Sequence, residues 1–333
     1  MQKKVKFFIL IFLFCLLYQS SFLLNANSFE HDDPSTWLIK KEIIFDSTGS
    51  PKSNYLNDLI EKIESHKGEG QRVTKNEFIN LLKRSEARRV YSKELIKYAT
   101  PESIKIQDKA HKDYSKVFLQ EKRIKAGVDF LHRYQKLLLK AQRKYGVACH
   151  DIVSILMWES GLGQFTGDLR IFNVFMGQLL YLEVAQKYAI NKMISEGKKN
   201  PLASSKFLEK ENKRFRKIKK RAVRSLVALL RQSKTKKIDP LSIKGSWGGA
   251  IGYVQFMPYR MNFAVDGNND GNIDLHTWPD AILSVANYLK EFGNYNMTYK
   301  GRKRGIYSYN HSNSYVRGVI QYADTIWKRF KEN

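Results

Sequence analysis

The sequence predicts a mainly α-helical protein with few or no long strands. Apolar residues recur at three- and four-residue steps between Glu121 and Tyr145, which gives one apolar stripe along a long helix. No long stretch alternates apolar and polar residues with the period of two that marks a half-buried strand. Hydrophobic residues make up 43% of the 333 residues and aromatic residues 13%, which favours a globular protein with a large core.

The N-terminus has the pattern of a secretory signal peptide over residues 1–26. Three lysines precede an apolar run, Phe7 to Tyr18, and Leu24-Asn25-Ala26 offers a cleavage site with a small residue. The apolar run is shorter than the roughly 20 residues that a membrane-spanning helix needs, so we expect a cleaved signal rather than an anchor. Cleavage leaves Cys149 as the one remaining cysteine, which excludes an internal disulfide and favours a buried thiol.

Residues 27–118 form an N-terminal extension that we expect to be partly helical. Its first half is polar and irregular, whereas Thr74 and Glu77 have the spacing of a capping box at the start of a helix. The long helix predicted from Glu121 to Tyr145 ends at a glycine, and a second helix, Asp151 to Trp158, follows within a few residues. Two helices in such close succession pack as an antiparallel or angled pair.

The stretch 170–195 is apolar and predicts a buried helix, and the overlapping segment 191–239 is strongly basic. That segment holds 17 lysines and arginines against 4 acidic residues, and the whole chain has a formal net charge of +26. Its pattern predicts two helices with basic outer faces, which could bind nucleic acid, an anionic membrane or an anionic wall polymer, or simply face solvent. Because the chain is predicted to be exported, no nucleic-acid partner is expected. A membrane, a wall polymer and plain exposure to solvent all remain open.

Glu159 is the candidate catalytic residue, because it lies where a helix should end. The apolar helix from Asp151 to Trp158 is followed by this carboxylate, a serine and Gly161, and glycine is the usual residue just beyond a helix end. The negative end of the helix dipole and the apolar Trp158 side chain would both raise the pKa of the carboxyl group. A carboxylic acid that is still protonated near neutral pH can protonate a leaving-group oxygen. The alternative is a solvated glutamate that happens to precede a helix cap.

A glycine-rich segment spans residues 244–258 and is a candidate ligand-binding loop. Four glycines fall within eight residues, which lets a ligand approach main-chain groups closely. Ser246, Tyr253 and Gln255 would supply neutral hydrogen-bond partners and an aromatic face, a combination that suits a sugar. The alternative is that the glycines allow a tight packing contact between helices.

A second loop, residues 266–280, resembles the calcium loop of an EF-hand. Oxygen-bearing side chains stand at loop positions 1, 3, 5, 7 and 9, with a glycine at position 6. Position 12 holds Thr277 instead of a glutamate, and the next carboxylate is that of Asp280. We predict a structural Ca²⁺ site, with a plain Asx-rich turn as the alternative. Its ligands would be Asp266, Asn268, Asp270, Asn272, Asp274 and Asp280.

Several motifs occur in a characteristic order between Leu119 and Tyr322. They are Tyr145–Val147, Trp158–Gly163, Asp239–Ser246, Gly249–Pro258, Ala264–Asp266, Asp280–Tyr288 and Tyr309–Asn313. With this order and spacing the chain resembles the membrane-bound lytic murein transglycosylase B family of glycoside hydrolases, which have a lysozyme-like helical core. The resemblance implies a catalytic domain over residues 119–333, in which 191–239 is a basic helical insertion and 266–280 the calcium loop.

The resemblance implies that Glu159 is the lone catalytic acid/base and that the chain cleaves the β-1,4 bond between N-acetylmuramic acid and N-acetylglucosamine in peptidoglycan. The product would carry a 1,6-anhydro ring, because the C6 hydroxyl of the muramic acid replaces water as the nucleophile. Peptidoglycan strands are then the partner and the bacterial periplasm the location, and we expect a monomer with no organic cofactor. The residues implied to line the cleft are Ser246, Gln255, Tyr288, Tyr309, Asn310 and Tyr315.

Some features of the family differ here, and more than one function stays open. Members carry a calcium loop whose last acidic ligand matches Asp280, which supplies the carboxylate that is missing at Thr277. Asn173 stands where the family usually has an aspartate. The competing functions are a non-catalytic peptidoglycan-binding or wall-assembly protein on the same fold, a basic module that binds anionic polymer, and a hydrolytic muramidase that leaves reducing ends.

Overall fold

The computed structural model describes residues 54–66, 70–100, 115–200 and 202–332. The predicted signal peptide and much of the predicted N-terminal extension lie outside these residues. Within them the predicted mainly α-helical fold is confirmed, and the strands are limited to β1, Leu169–Arg170, and β2, Lys244–Gly245, which pair antiparallel. Among the same residues, no helix has both the length and the apolar composition of a membrane-spanning segment.

Helices form nearly all of the regular structure in this part of the chain. The first half contains α1 Asn54–Ser65, α2 Lys75–Lys83, α3 Ser92–Ala99, α4 Ser115–Phe118, α5 Glu121–Arg133, α6 Gln135–Tyr145 and α7 Cys149–Ser160. The second half contains α8 Ile171–Leu180, α9 Leu182–Ser195, α10 Ser205–Thr235, α11 Trp278–Asn287, α12 Tyr299–Tyr309 and α13 Asn313–Glu332. Short 3₁₀ turns span Ser85–Arg88 and Pro258–Phe263, and a π turn, Tyr288–Phe292, continues α11.

The described chain divides into two compact units. The first unit contains residues 115–167 and 250–332, and the second contains 54–66, 70–100 and 168–249. The described residues of the N-terminal extension up to residue 100 thus belong to the same unit as the basic segment. The predicted division into 27–118 and 119–333 stays a prediction.

In the first unit, α7 is the central helix. All of its residues except His150 are buried, and it packs against α5, α6, α11 and α13. Its buried Asp151 accepts two hydrogen bonds from Arg302, at 2.7 and 2.8 Å, and one from the Tyr295 hydroxyl group. Arg302 lies on α12, a helix that the sequence pattern did not predict, so α12 is fixed to the core through a buried ion pair.

Two predicted helices are interrupted in the structure. The predicted helix from Glu121 to Tyr145 divides into α5 and α6 at Tyr134, whose ψ of 21° leaves the helical range. The Tyr134 ring packs against Phe130 and Trp278, with centroid distances of 4.5 and 5.5 Å, so tertiary packing accompanies the break. The predicted helix 170–195 likewise divides into α8 and α9, at Tyr181, whose ψ is 3°.

The second unit is organised around α10, a single helix of 31 residues where the sequence predicted two. Its outer face is basic as predicted, but three of its arginines point inward and are buried. Arg214 pairs with Glu211 at 2.8 Å and donates to the carbonyl groups of Tyr98 and Ala99, at the C-terminal end of α3. Arg231 donates to the carbonyl groups of His66 and Gly70. Cations at helix C-termini are favourable, so part of the positive charge stabilises the fold. The third buried arginine is Arg221.

The second unit also explains the unusual Asn173. The side-chain amide group of Asn173, which is buried in α8, donates to the carbonyl oxygens of Glu86 and Arg89 at 2.8 Å each. An ionised aspartate has no hydrogen to donate to either carbonyl group. The asparagine therefore binds the turn around residues 86–89 in a way that an aspartate could not.

We predict that Arg214→Ala lowers the free energy of unfolding by about 3 kcal/mol, because it leaves the buried Glu211 carboxylate without its cation. The measurement is urea unfolding followed by circular dichroism. Lys213→Ala removes an exposed cation from the same helix and should change the free energy by less than about 0.5 kcal/mol. If Arg214→Ala lowered the free energy of unfolding as little as Lys213→Ala does, the structural role of the pair between Arg214 and Glu211 would be contradicted.

Candidate active site

The catalytic candidate lies in the last turn of α7. The helix ends through Gly161, whose φ of 60° is left-handed, and the Gly161 amide group donates to the carbonyl oxygen of Met157 at 3.0 Å. The amide group of Leu162 reaches back to Leu156 at 3.1 Å, which completes a common helix-terminating arrangement. Gly163 also has a positive φ, of 83°, and a Cβ atom there would lie 3.0 Å from the Tyr253 ring.

The Glu159 side chain is buried rather than solvated, with 4% of its surface exposed. One carboxyl oxygen, Oε1, accepts a hydrogen bond from the Tyr315 hydroxyl group at 2.7 Å. The other, Oε2, is buried and has no partner among the described residues. Burial raises the pKa of Glu159 well above its ordinary value, and the hydrogen bond from Tyr315 opposes that rise only in part. This environment excludes the alternative of a solvated glutamate.

Aromatic rings form the apolar surroundings of the end of α7. Trp158 stacks on Phe118, with ring centroids 3.9 Å apart, and meets Tyr315 edge-on at 5.2 Å. The burial of the carboxyl group in this part of the unit is the physical cause of its raised pKa. The stacking of Trp158 on Phe118 was not predicted from the sequence, because no spacing pattern links residues on separate helices.

Two further tyrosines lie close enough to Glu159 for its negative charge to affect their pKa values. Their rings, those of Tyr288 and Tyr309, meet edge-on with centroids 5.0 Å apart. The Tyr309 hydroxyl group donates to the Val254 carbonyl oxygen at 2.6 Å, and the Tyr288 hydroxyl group donates to that of Ser308 at 2.9 Å. Burial, together with the negative charge of Glu159, raises the pKa of both groups, that of Tyr288 to about 12. Both phenols therefore stay neutral.

Part of the glycine-rich segment lies in the same unit and forms a tight loop. Ile251 and Phe256 pair through their backbones, and between them Gln255 has a positive φ of 51°, an uncommon conformation for this residue type. The Gln255 amide group donates to the carbonyl oxygens of Gly252 at 2.9 Å and Thr166 at 3.3 Å. The loop conformation and these two bonds fix the side chain in place.

Two glycines of this segment, Gly249 and Gly252, lie in tight packing contacts, which was the alternative to ligand approach. A Cβ atom on Gly252 would come within 2.5 Å of Leu275, and one on Gly249 would overlap the ring of Phe175. Tyr253 stacks on Trp278, with centroids 4.1 Å apart, and both rings border Gly163. Trp278 was not recognised from the sequence, since nothing in the spacing connects it to Tyr253.

The structure brings most of the predicted cleft residues into one unit. Tyr288, Tyr309 and Tyr315 surround the end of α7, and Asn310 is half-buried at the C-terminal end of α12. Ser246 belongs to the second unit, so its place in the cleft stays a prediction.

The loop 266–280 is held by its own carboxylates. Asp266 accepts hydrogen bonds from the amide groups of Asp270, at 3.2 Å, and Gly271, at 2.8 Å. The buried Asp280 carboxylate accepts from the amide groups of Gly267, at 2.8 Å, and Asp274, at 2.6 Å, and so joins the two ends of the loop. These bonds describe a compact Asx-type turn.

The chemistry of the loop suits a hard cation, although no ligand set converges in it. The side chains supply oxygen donors, which Ca²⁺ prefers. No three acidic, histidine or cysteine side chains in the described residues come together as a metal site. The Asn268 amide group instead donates to the Asp270 carboxylate at 2.7 Å.

Several solved structures share this fold. The lytic transglycosylase Slt35 of Escherichia coli in complex with calcium matches with a TM-score of 0.59 and 20% identity, over 90% of this chain and 99% of that one. The same enzyme in complex with bulgecin A gives the same values. The soluble lytic transglycosylase SltB1 of Pseudomonas aeruginosa matches with a TM-score of 0.51 and 23% identity, over 66% of this chain and 83% of that one.

Sequence comparison leads to the family. The membrane-bound lytic murein transglycosylase B of Escherichia coli strain K12 is 31% identical over 182 residues, which cover 54% of this chain and 41% of that protein. The match thus spans less than half the length of this relative. A family model described as the transglycosylase SLT domain matches residues 58–303, which is more than half of the chain. The chain therefore belongs to the transglycosylase SLT domain family.

Proposed function

We propose that this chain is a peptidoglycan lytic transglycosylase in which Glu159 is the single acid/base. The observation that carries the proposal is the buried Glu159 carboxyl group, with a raised pKa, one oxygen bonded to Tyr315 and the other without a partner among the described residues. Membership of the transglycosylase SLT domain family supports the reaction class.

In the first step, Glu159 protonates the glycosidic oxygen between N-acetylmuramic acid and N-acetylglucosamine. Because Oε1 accepts the hydrogen bond from Tyr315, the acidic proton of the neutral carboxyl group resides on Oε2. Tyr315 thus determines which oxygen donates. The bond from C1 of the muramic acid to the leaving oxygen breaks, and Glu159 becomes a carboxylate.

In the second step, the carboxylate takes the proton of the C6 hydroxyl group while that oxygen bonds to C1. This closes the 1,6-anhydro ring and returns Glu159 to its acid form, so the proton balance of the cycle is complete. Ordinary glycosidases need a second carboxylate to activate water or to bond to the sugar. An intramolecular nucleophile has a high effective concentration and makes that second group unnecessary. In keeping with this, no other carboxylate among the described residues shifts the pKa of Glu159.

Neutral side chains supply the sugar contacts in this proposal. Tyr288, Tyr309 and Gln255 are fixed by hydrogen bonds to main-chain carbonyl groups, and they offer aromatic faces and an amide group near the end of α7. Sugar hydroxyl and acetamido groups are bound by such neutral partners. Tyr253, Asn310 and, from the second unit, Ser246 are the further proposed contacts.

The setting of the enzyme is also a proposal. We place it as a monomer in the bacterial periplasm, after cleavage of residues 1–26, acting on peptidoglycan strands. The exposed lysines of α10 would then favour the anionic wall or the membrane surface. They include Lys206, Lys210, Lys213 and Lys220.

Glu159→Gln should reduce turnover at least 1,000-fold, roughly the upper range of general acid–base catalysis, while the protein stays folded. Glutamine keeps the shape of the side chain but cannot carry the proton. The measurement is mass spectrometry of the anhydro-ended fragments released from purified peptidoglycan. Glu291→Gln, at an exposed position of the same unit, is the control and should be fully active. Activity of Glu159→Gln at a tenth of the wild-type level would disprove the assignment.

The same measurement of products separates the competing functions. A hydrolytic muramidase would release fragments with reducing ends, which are heavier by one water than the anhydro products. A non-catalytic wall-binding protein would release neither. A basic binding module would associate with the wall in a salt-sensitive manner that Glu159→Gln does not change.

Tyr315→Phe should move the falling, high-pH limb of the kcat–pH profile to higher pH. The hydrogen bond from Tyr315 favours the ionised carboxyl group and contributes about 1.5 kcal/mol, so its loss raises the pKa of Glu159 further. The acid form then persists to higher pH. Tyr322→Phe, which removes a buried hydroxyl group bonded to the Arg123 carbonyl oxygen, should leave the profile in place. An unshifted profile for Tyr315→Phe would contradict this role.

We also propose that Ca²⁺ binds the loop 266–280 through Asp266, Asn268, Asp270, Asn272, Asp274 and Asp280, as a structural ion only. The complex of Slt35 with calcium supports this. Ca²⁺ at about 100 times its Kd should stabilise the protein by about 2.7 kcal/mol, measured as a rise in Tm. Mg²⁺ should have a smaller effect, and Asp270→Ala should abolish the rise. A Tm that does not respond to Ca²⁺ would leave the Asx-rich turn as the correct interpretation.

A further inference from the structure

Arg260 occupies an unusual position directly after the glycine-rich segment. It is half-buried in the 3₁₀ turn Pro258–Phe263. The centre of its guanidinium group lies 3.8 Å from the ring centroid of Phe292 and 5.6 Å from that of Tyr288. A cation stacked on an aromatic face at this distance is held in a defined plane, so the group is oriented before any ligand arrives.

The Arg260 guanidinium group has no anionic partner in the described part of the chain. Among the residues that the structure describes, the Arg260 guanidinium group forms no ion pair and donates no hydrogen bond, whereas the Arg260 backbone amide donates to the Met257 carbonyl oxygen at 2.7 Å. Two other arginines of the same unit do form ion pairs: Arg302 binds Asp151 and Asp324, and Arg329 binds Glu121. An arginine presents a planar fork of donors that matches the two oxygens of a carboxylate group. Arg260 therefore offers a fixed carboxylate-binding group that no described protein side chain uses.

Arg260 also lies beside Tyr288, one of the tyrosines of the proposed active site. The Tyr288 ring meets the Tyr309 ring edge-on, with centroids 5.0 Å apart. The negative charge of ionised Glu159 helps to raise the pKa of both hydroxyl groups. Burial and the positive charge of Arg260 together lower the pKa of His311, which follows Tyr309 by two residues. The guanidinium group is thus next to the surface on which the sugar is proposed to lie.

We propose that Arg260 is a specificity-determining residue that binds a carboxylate group on the lactyl–peptide arm of the muramic acid. The inference rests on the proposed function of the site. The sugar rings of peptidoglycan are neutral, and the acidic groups of the strand are carried by this arm. Neutral tyrosine and glutamine side chains would recognise the sugars, and Arg260 would recognise the charge beside them. The carboxylate comes either from the stem peptide or, on peptide-free strands, from the lactyl group itself.

The test compares kcat/KM for formation of anhydro ends on two forms of one substrate. One form has free stem carboxylates, and in the other these groups are converted to amides. The wild type should prefer the acidic form by about tenfold, the equivalent of one charge-assisted hydrogen-bonded pair. Arg260→Gln should process both forms at similar rates, and Arg260→Lys should keep part of the preference. Strands stripped of their peptides, assayed with the lactyl carboxylate free or amidated, show which carboxylate is bound.

Lys303→Gln is the matched control. Lys303 is an exposed cation that rests 5.4 Å from the exposed ring of Tyr299, so the variant removes the same charge from a similar contact. It should keep the full preference for acidic strands. Thermal unfolding verifies that the Arg260 variants are folded.

Two results would overturn the proposal. In one, Arg260→Gln keeps the wild-type preference for the acidic form. In the other, the variant loses activity equally on both forms, as expected if the residue were purely structural.

Failure of the proposed function is a separate result, because the wild type would then yield no anhydro ends from any strand. In that case, calorimetric titration with a soluble acidic stem peptide and its amide decides. Tighter binding of the acid to the wild type but not to Arg260→Gln supports the proposal, and equal binding refutes it.

Discussion

The burial of the Glu159 carboxyl group in the last turn of α7, without a cationic partner among the described residues, is the constraint on which the proposed chemistry depends. The same helix carries a second buried acid, Asp151, which Arg302 and Tyr295 satisfy with three hydrogen bonds. Glu159 has only the neutral Tyr315 hydroxyl group on one oxygen. One acid is therefore compensated as an ion and fixes α12 to the core, whereas the other is left in conditions that favour the neutral acid. The different hydrogen-bond partners of these two acids therefore distinguish a structural carboxylate, Asp151, from a catalytic candidate, Glu159.

Positive charge is likewise divided between structural and available groups. Two of the inward-pointing arginines of α10, Arg214 and Arg231, bind main-chain carbonyl groups, and Arg214 also binds a buried glutamate. The lysines on the outer face of the helix are exposed. Arg260 belongs to neither group, since it is half-buried on aromatic rings without an anionic partner among the described residues. A net charge of +26 is thus a poor guide to function until each cation is placed.

Local sequence patterns correctly predicted features that depend on neighbouring residues, such as helix starts and helix ends. The end of α7 follows from Gly161, and the capping box of Thr74 and Glu77 is present as predicted. Contacts between distant residues were beyond local patterns, including the bond from Tyr315 to Glu159 across 156 positions. The interruption of the long predicted helix at Tyr134 is accompanied by packing against Trp278, which the apolar stripe does not reveal. The helix α12 was missed because its basic, glycine-containing sequence has a weak apolar stripe.

The most direct test of the account is the ionisation of Glu159 in the intact protein. Carbon-13 NMR of protein labelled at the glutamate carboxyl groups, with the Glu159 signal assigned by its absence from Glu159→Gln, measures that titration. We expect the Glu159 signal to keep its protonated chemical shift at pH values well above the ordinary glutamate pKa of about 4.3. A midpoint at or below that value would mean that Glu159 is ionised at neutral pH. It would then have no proton to give to a glycosidic oxygen, and the proposed chemistry would be contradicted.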